Sequence, residues 1–371
     1  MLLTFTSQSV ETDSIDPVFG GEYSFRPLSE QSLASWSEGV IDPALAITEP
    51  NPFMPEDLSL KSHDGESQVA GAESKPDLLL DDNGVRLWFQ HDDEFEVPRA
   101  NFYFYAMMPV FSDSLENSLL SSFVISLVND KHNEYSYPAN LAGVFYGVSR
   151  RSRGFTVRLG GYQDKQAILL EEVLNTIVEA DFDQARFDII KTEMIRSWEN
   201  ADKQTPYVRL FQEIQALLVD PYWSEQEKIA AVADIGLDQV KAFIPRMLNN
   251  ITIDALYHGN VVEDDALRML DIVMTYLEPS PQVDRPPFGT VVMLEPEQKI
   301  IQEVEVEHED SAIVIYQQGP DDSLETRATI NLLSTILRTP FYEELRTRQQ
   351  LGYVVNAGTM PILNTNGVIM Y

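Results

Sequence analysis

The chain has 371 residues, no cysteine, and 59 acidic against 26 basic side chains, a formal net charge of −33. That charge repels nucleic-acid phosphate and anionic lipid, and no basic stripe in the sequence offsets it; it fits a well-solvated surface or one that handles basic peptides. The 44% hydrophobic content is enough for a packed core, disulfides and thiolate metal sites are excluded, and no apolar run reaches membrane-spanning length.

Residues 1–76 read as loop-like and acidic. The first five residues lack the basic start of a secretory signal. Pro43, Pro50, Pro52 and Pro55 punctuate a stretch that cannot fold by itself. Residues 21–26 alternate like an edge strand, residues 45–55 form an extended arm, and residues 61–76 have the composition of a linker. From residue 77 the texture is that of a compact domain. Residues 85–89 are a strand, and 101–107 alternate aromatic with small residues, as a strand covered on both faces does. Leu119, Leu120, Phe123, Val124, Leu127 and Val128 share one helix face. Residues 154–160 are a strand. Asp164 stands where it would cap a helix striped by Ile168, Leu169, Val173, Leu174, Ile177 and Val178. Asp183 caps another carrying Phe187, Ile190, Met194 and Trp198, Pro206 starts a third, and Ser224 with Glu227 makes a capping box. Residues 251–257 are a strand and 263–277 a helix. This order predicts an α+β fold, a mostly antiparallel sheet with helices packed over one face.

Pro279, Pro281, Pro286 and Pro287 mark an interdomain linker, so the domains divide as 1–76, 77–280 and 290–371. Beyond it, 301–306 and 312–316 read as strands, 324–338 and 341–349 as two helices, and 351–356 as a strand. Residues 368–371 read as an unpaired apolar strand cut mid-run, which makes the last unit a truncated one.

The run most charged with chemistry is Glu344-Leu345-Arg346-Thr347-Arg348-Gln349-Gln350-Leu351-Gly352-Tyr353. It opens like the end of a helix, breaks at Gly352 and continues as a strand. Arg346 and Tyr353 then lie on opposite sides of a corner that can aim a guanidinium and a phenol at one external point. By residue type alone, Arg346 pairs with Glu343 or Glu344 and Tyr353 packs at a strand start. Glu303, Glu305, Glu307 and Glu309 form an acidic solvent face or, alternatively, a wall attracting basic peptides. His258 and Asn260 end a strand, where a loop role is expected. The five histidines are His63, His91, His132, His258 and His308, and no two fall within one helical turn. His91-Asp92-Asp93-Glu94 matches the start of H-x-x-E-H, but Phe95 stands where the second histidine belongs and cannot ligate metal. No nucleophile motif, phosphate loop or carboxylate couple is present, so no catalytic residue and no metal ligand is assigned in this chain.

Five strings stand out: Arg86-Leu87-Trp88-Phe89 with Asp92-Asp93 and Phe95; Asn133-Glu134-Tyr135 with Leu141-Ala142-Gly143; Gly161-Tyr162-Gln163-Asp164-Lys165-Gln166; Ala255-Leu256-Tyr257-His258-Gly259-Asn260; and the 344–353 run. Together they resemble the insulinase/pitrilysin family of inverted-motif zinc metallopeptidases. The resemblance implies four related α+β units closing around a peptide chamber. This chain would hold the end of the second, the whole third and the start of the fourth, without the zinc-binding unit. It implies peptide substrates, a missing N-terminal catalytic half, and zinc in the parent protein only. It further implies that Arg346 and Tyr353 bind substrate opposite the catalytic centre and that the location is periplasmic if the source is Gram-negative; it is the net charge of −33 that argues against nucleic acid and membrane as partners. The chain by itself is expected to be inactive. The alternative is an inactive paralogue or subunit serving as a peptide-binding scaffold.

Overall fold

Alternating apolar residues between positions 77 and 259 assemble one sheet that organises most of the protein. The computed structural model describes residues 4–39, 49–62, 75–201, 203–280, 289–306 and 308–371. These fall in two units, Met1–Pro50 and Asn51–Tyr371. In the first, β1 (Ser14–Ile15) pairs antiparallel with β2 (Glu22–Tyr23). The edge strand expected over 21–26 is only these two residues, because both are exposed and no burial extends the ladder. Helix α1 (Glu30–Ser37) follows its cap, Ser29.

The second unit runs β3 (Asp77–Asp82), β4 (Val85–His91), β5 (Arg99–Met107), α2 (Leu115–Lys131), α3 (Asn133–Leu141), β6 (Val144–Arg151), β7 (Gly154–Tyr162), α4 (Gln166–Glu179), α5 (Gln184–Ala201), α6 (Pro206–Leu218), β8 (Val219–Asp220), α7 (Glu225–Val232), α8 (Leu237–Met247), β9 (Thr252–Gly259) and α9 (Glu263–Tyr276). Six strands form one sheet in the order β3-β4-β9-β5-β7-β6. Only β4 and β9 run parallel; every other neighbour is antiparallel. With the helices on one face, this is the α+β architecture the sequence predicts. Ala100, Phe102, Phe104 and Ala106 of β5 and Phe155, Val157 and Leu159 of β7 are buried beneath Phe123, Val173 and Phe243 of the helices. Each such phenylalanine contributes about 1.5–3 kcal/mol through burial. The expectation that 101–107 is covered on both faces fails. Asn101, Tyr103 and Tyr105, on the side away from the helices, stay partly accessible.

Helix starts follow local chemistry. Asp183 accepts from the Arg186 amide at 3.0 Å, Pro206 opens α6, and Ser224 with Glu227 forms the capping box. Asp164 does not cap α4; its carboxylate is turned toward another segment, described below. Within the α4 stripe, Ile168 and Val178 are exposed, and Leu170 takes the buried place.

The last section adds β10 (Thr290–Val291), paired with β8, then β11 (Ile315–Gln318), α10 (Leu324–Tyr342), β12 (Ala357–Thr359) and β13 (Gly367–Met370). The sheet order β11-β13-β12 makes β13 a central strand, paired on both sides. That corrects its reading as an unpaired end. Residues 301–306 form no strand; Ile301 is 87% exposed, and the alternating valines meet no partner strand among the described residues. The strand expected over 312–316 starts only at Ile315. Helix α10 passes through Pro340 and continues into a π-helical turn, Glu343–Arg348, so the two expected helices are one element. Residues 351–356 are irregular, and the strand expected there begins at Ala357. Pro43, residues 45–48 of the arm, His63 and the rest of 63–74, 281–288 of the interdomain linker, and Glu307 lie outside the described residues.

Candidate functional site

Helix α10 is capped by Ser323, which accepts from the Thr326 amide at 3.1 Å, and its buried Ser334 donates to the Gly358 carbonyl at 3.0 Å. The helix is therefore fixed against β12 before its last turn widens. In that wide turn the Gln349 amide donates to the Glu344 carbonyl at 3.0 Å and the Leu351 amide to the Leu345 carbonyl at 2.9 Å. π-Helical turns of this kind re-aim side chains and recur at functional sites. The chain then reverses at Gln350, which has φ +53°. The expected break at Gly352 is displaced by two residues. Gly352 has no left-handed φ, and a Cβ there would meet nothing nearer than the Val354 carbonyl at 3.9 Å.

The reversal brings the two expected site residues together. The Arg346 guanidinium lies 4.5 Å from the centre of the Tyr353 ring and 5.4 Å from that of Tyr342. Instead of reaching one external point from opposite sides of the corner, cation and phenol are stacked on each other. The ion pair expected for Arg346 is made by Arg348, which donates to Glu344 at 3.0 Å, while Gln349 donates to the other carboxylate oxygen at 2.9 Å. The Gln349 and then the Arg348 hydrogen bonds hold the Glu344 carboxyl below its ordinary range. Glu344 is thereby occupied, leaving Arg346 held by rings rather than by a carboxylate. Tyr353 is 83% exposed. Only a displayed side chain, not a packed one, reaches that value for so large a ring.

Beside the pair runs a groove of about 820 Å³ lined by Arg338, Tyr342, Arg348, Tyr353, Val355 and Tyr371, among others. Its floor is fixed. The Asn356 and Tyr371 amides donate to each other's carbonyls at 2.9 Å, and Asn356 Nδ2 donates to the Tyr371 hydroxyl at 3.2 Å. Tyr371 stacks in turn on Tyr207 at 5.6 Å and edge-on against Phe211 at 5.0 Å. Sequence reasoning missed Tyr342, Arg338 and Tyr371. Tyr342 was findable, since it precedes Arg346 by one helical turn. Tyr371 was not, because only the sheet brings it there.

The other strings of the sequence fasten the fold. Phe53 of the arm is buried in the core at 2% exposure. Asn51 Nδ2 donates to the Pro138 carbonyl at 2.7 Å. The Glu56 and Asp57 amides donate to Asp164 Oδ2 at 2.9 and 3.4 Å, and Lys165 bridges Glu56 and Asp164 at 3.1 and 3.4 Å. Burial acts to raise the Asp164 carboxyl, but the two amides and Lys165 more than offset it and hold it below its ordinary value. Asn260 clamps the Lys61 backbone, accepting from its amide at 2.8 Å and donating to its carbonyl at 3.2 Å. Buried Gln166 donates to the Ala100 and Gly161 carbonyls at 2.8 and 3.1 Å and accepts from Tyr257 at 3.3 Å. Burial and then the Asp265 charge raise the Tyr257 phenol, so it stays protonated and donates. His258 sits 3.3 Å from Asp92, tying the ends of the parallel strands β9 and β4. A cavity of about 120 Å³ beneath the arm, bordered by Asp57, Asp164 and Arg268, is too small for a peptide.

Four histidines fall among the described residues and none shares a site with another pair of donors. His132 is buried against Tyr135 and Tyr146, His91 Nδ1 is 2.8 Å from the Val261 carbonyl, and His308 is 3.8 Å from Asp310. No group of three His, Cys, Asp or Glu able to hold a metal exists among the described residues. The side chains described do not fit a zinc ion.

Residues 1–231 match the family model described as the middle or third domain of peptidase M16, and residues 234–371 match the peptidase M16 inactive domain. The chain belongs to the peptidase M16 family. Insulin-degrading enzyme of Drosophila melanogaster is 28% identical over 99% of this chain and 37% of its own length. Insulin-degrading enzyme of Bos taurus is 29% identical over 96% of the chain and 35% of its own length. The chain thus spans little more than a third of these M16 relatives. The crystal structure of pitrilysin superposes with a TM-score of 0.74 at 20% identity, over 97% of this chain and 38% of that one, a likeness of fold. The M16 match covers both the sheet unit and the Arg346 corner.

Proposed function

We propose that these residues form the substrate-chamber portion of an M16 zinc metalloendopeptidase, with Arg346 and Tyr353 as substrate-binding donors. The observation that carries the proposal is the exposed Tyr353 stacked on a half-buried Arg346 beside an open groove, within a chain belonging to a peptidase family. In this reading residues 1–76 close one unit, 77–280 form a complete unit and 290–371 open the next. Zinc and the groups that activate water belong to polypeptide outside these residues. A peptide carbonyl under attack gains negative charge, and a guanidinium and a phenol already fixed in place lower that barrier without reorganising. The stack on Tyr342 and Tyr353 fixes the Arg346 guanidinium, and the Glu344 network fixes the turn that carries it.

Two measurements test the proposal. The isolated 371-residue chain, supplied with zinc, should not hydrolyse peptides; zinc-dependent turnover by it would overturn the assignment of chemistry elsewhere. In the longer protein, Arg346→Ala should lower kcat/KM while leaving the fold intact.

A further inference from the structure

We propose that the helix-free face of the six-stranded sheet, across β5, β6 and β7, binds an extended acidic peptide segment. The proposal goes beyond the peptidase reading, and it concerns a surface separate from the Arg346 corner.

In a chain with 59 acidic residues, β5, β6 and β7 contain none. What they carry toward the open side is basic and aromatic. The cross-strand register sets Tyr103 opposite Arg158, and Phe145 opposite Gly160 and Asn101. The Arg158 guanidinium lies 5.3 Å from the Tyr103 ring centre and 5.5 Å from that of Phe145, bracketed between the two. Gly160 permits this. A Cβ there would fall 2.3 Å from the Phe145 ring and 2.8 Å from Asn101 Oδ1. Arg99 stacks on Tyr162 at 4.8 Å. Arg151 stands exposed at the far end of β6. None of Arg99, Arg151 and Arg158 has a carboxylate partner among the described residues. With more than two acids for every base in the chain, three unpaired arginines on one acid-free face are a local reversal of charge.

The spacing selects the ligand. By backbone register the three arginines stand at the rows of residues 99, 103 and 107, four residues apart along the strand direction, on the adjacent strands β5, β7 and β6 in turn. At about 3.3 Å per residue and about 4.8 Å between strands, an extended peptide crossing the three strands obliquely passes an arginine roughly every 14 Å. A carboxylate at every fourth residue would therefore reach all three. Planar guanidinium forks suit carboxylates, and the rings between them take the aliphatic parts of the intervening side chains. A nucleic acid, with a phosphate at every nucleotide, meets the chain's overall negative charge more strongly than a peptide with a few carboxylates does.

The test uses the purified chain and a fluorescently labelled peptide of about a dozen residues, enough to span the three arginines at about 3.3 Å each. It carries Glu at every fourth position between Ser, Val and Gly. Fluorescence anisotropy should report saturable binding that weakens with salt. The Lys version of the peptide and an oligothymidylate of equal length should bind at least about tenfold more weakly. Arg158→Glu should weaken the Glu peptide about tenfold or more, and Arg99→Glu and Arg151→Glu severalfold each. Arg158→Gln, which leaves the strand uncharged but not reversed, should give an intermediate loss. Arg196→Gln, an exposed arginine on α5 with no part in either site, should leave the affinity unchanged. Equal binding of the Lys peptide, tighter binding of the oligonucleotide, or unchanged affinity in folded Arg158→Glu would overturn the inference.

Discussion

Two regions of this protein carry family strings of similar length, and the fold treats them in opposite ways. In the sheet unit, Asp164, Gln166, His258 and Asn260 are each engaged by backbone or side-chain partners, and together they strap the 51–62 arm and the strand ends in place. At the 344–353 corner, Glu344 satisfies Arg348 and Gln349, and Tyr353 is left facing outward with the half-buried Arg346 stacked on it. A polar residue whose hydrogen bonds are all consumed inside the fold is architecture. One that the fold orders but leaves displayed is available for a ligand. Strings that resemble one family therefore serve two different ends in this fold.

Substitutions at the two regions should accordingly fail in different ways. The largest effect is expected for Arg346→Ala in the longer protein: a loss of about 10²–10³ in kcat/KM, typical of deleting one transition-state donor, with stability within about 0.5 kcal/mol of the parent. Steady-state kinetics with a thermal melt check both halves. A melt lowered in step with activity would place the corner with the architecture.

The next effect is acid sensitivity of the sheet unit. Burial, then the neighbouring Lys131 charge, lower buried His132 from 6.5 to about 4, with the Glu172 backbone acting weakly the other way. The folded protein keeps His132 neutral while the unfolded chain takes up a proton below its ordinary value. Stability should therefore fall as pH drops from about 6.5 toward about 4, by roughly 3 kcal/mol at most from this group. Denaturant titrations across that range should show the slope, and His132→Phe should flatten it.

Gln166→Leu comes third. It strands the Ala100 and Gly161 carbonyls and the Tyr257 hydroxyl, at about 2 kcal/mol. A denaturation midpoint unchanged from the parent would mean that Gln166 is not the strap its contacts describe. The smallest effect is expected for Asp164→Ala, about 1 kcal/mol, visible as faster proteolytic cleavage within 51–62 rather than as global unfolding.

Much of the fold was legible because it rests on short-range rules. The α5, α6 and α7 starts follow from Asp183, Pro206 and Ser224 with Glu227, and the strands β4, β5, β7 and β9 from their apolar periodicity. What failed was set by distant partners. Asp164 looked like a helix cap, and only the arm, more than 100 residues away in sequence, explains its carboxylate. The strand expected over 301–306 has the alternation but no neighbour to pair with among the described residues. The face of β5 opposite the helices looked covered because tyrosine and phenylalanine score alike in a periodicity, although only the phenylalanines are buried. At the corner, the residues were legible and their geometry was not. A π-helical turn and a left-handed Gln350 leave no mark in residue type, so Gly352 drew the attention that belonged two positions earlier.

The most direct measurement removes a single oxygen. Tyr353→Phe in the longer protein keeps the ring on Arg346 and deletes only the exposed hydroxyl. Comparing kcat/KM and Tm for this variant and its parent should give at least about a tenfold loss in kcat/KM with Tm unchanged within about 1 °C. Unaltered peptide hydrolysis, or a fall in Tm large enough to account for the loss, would contradict the role given to the corner.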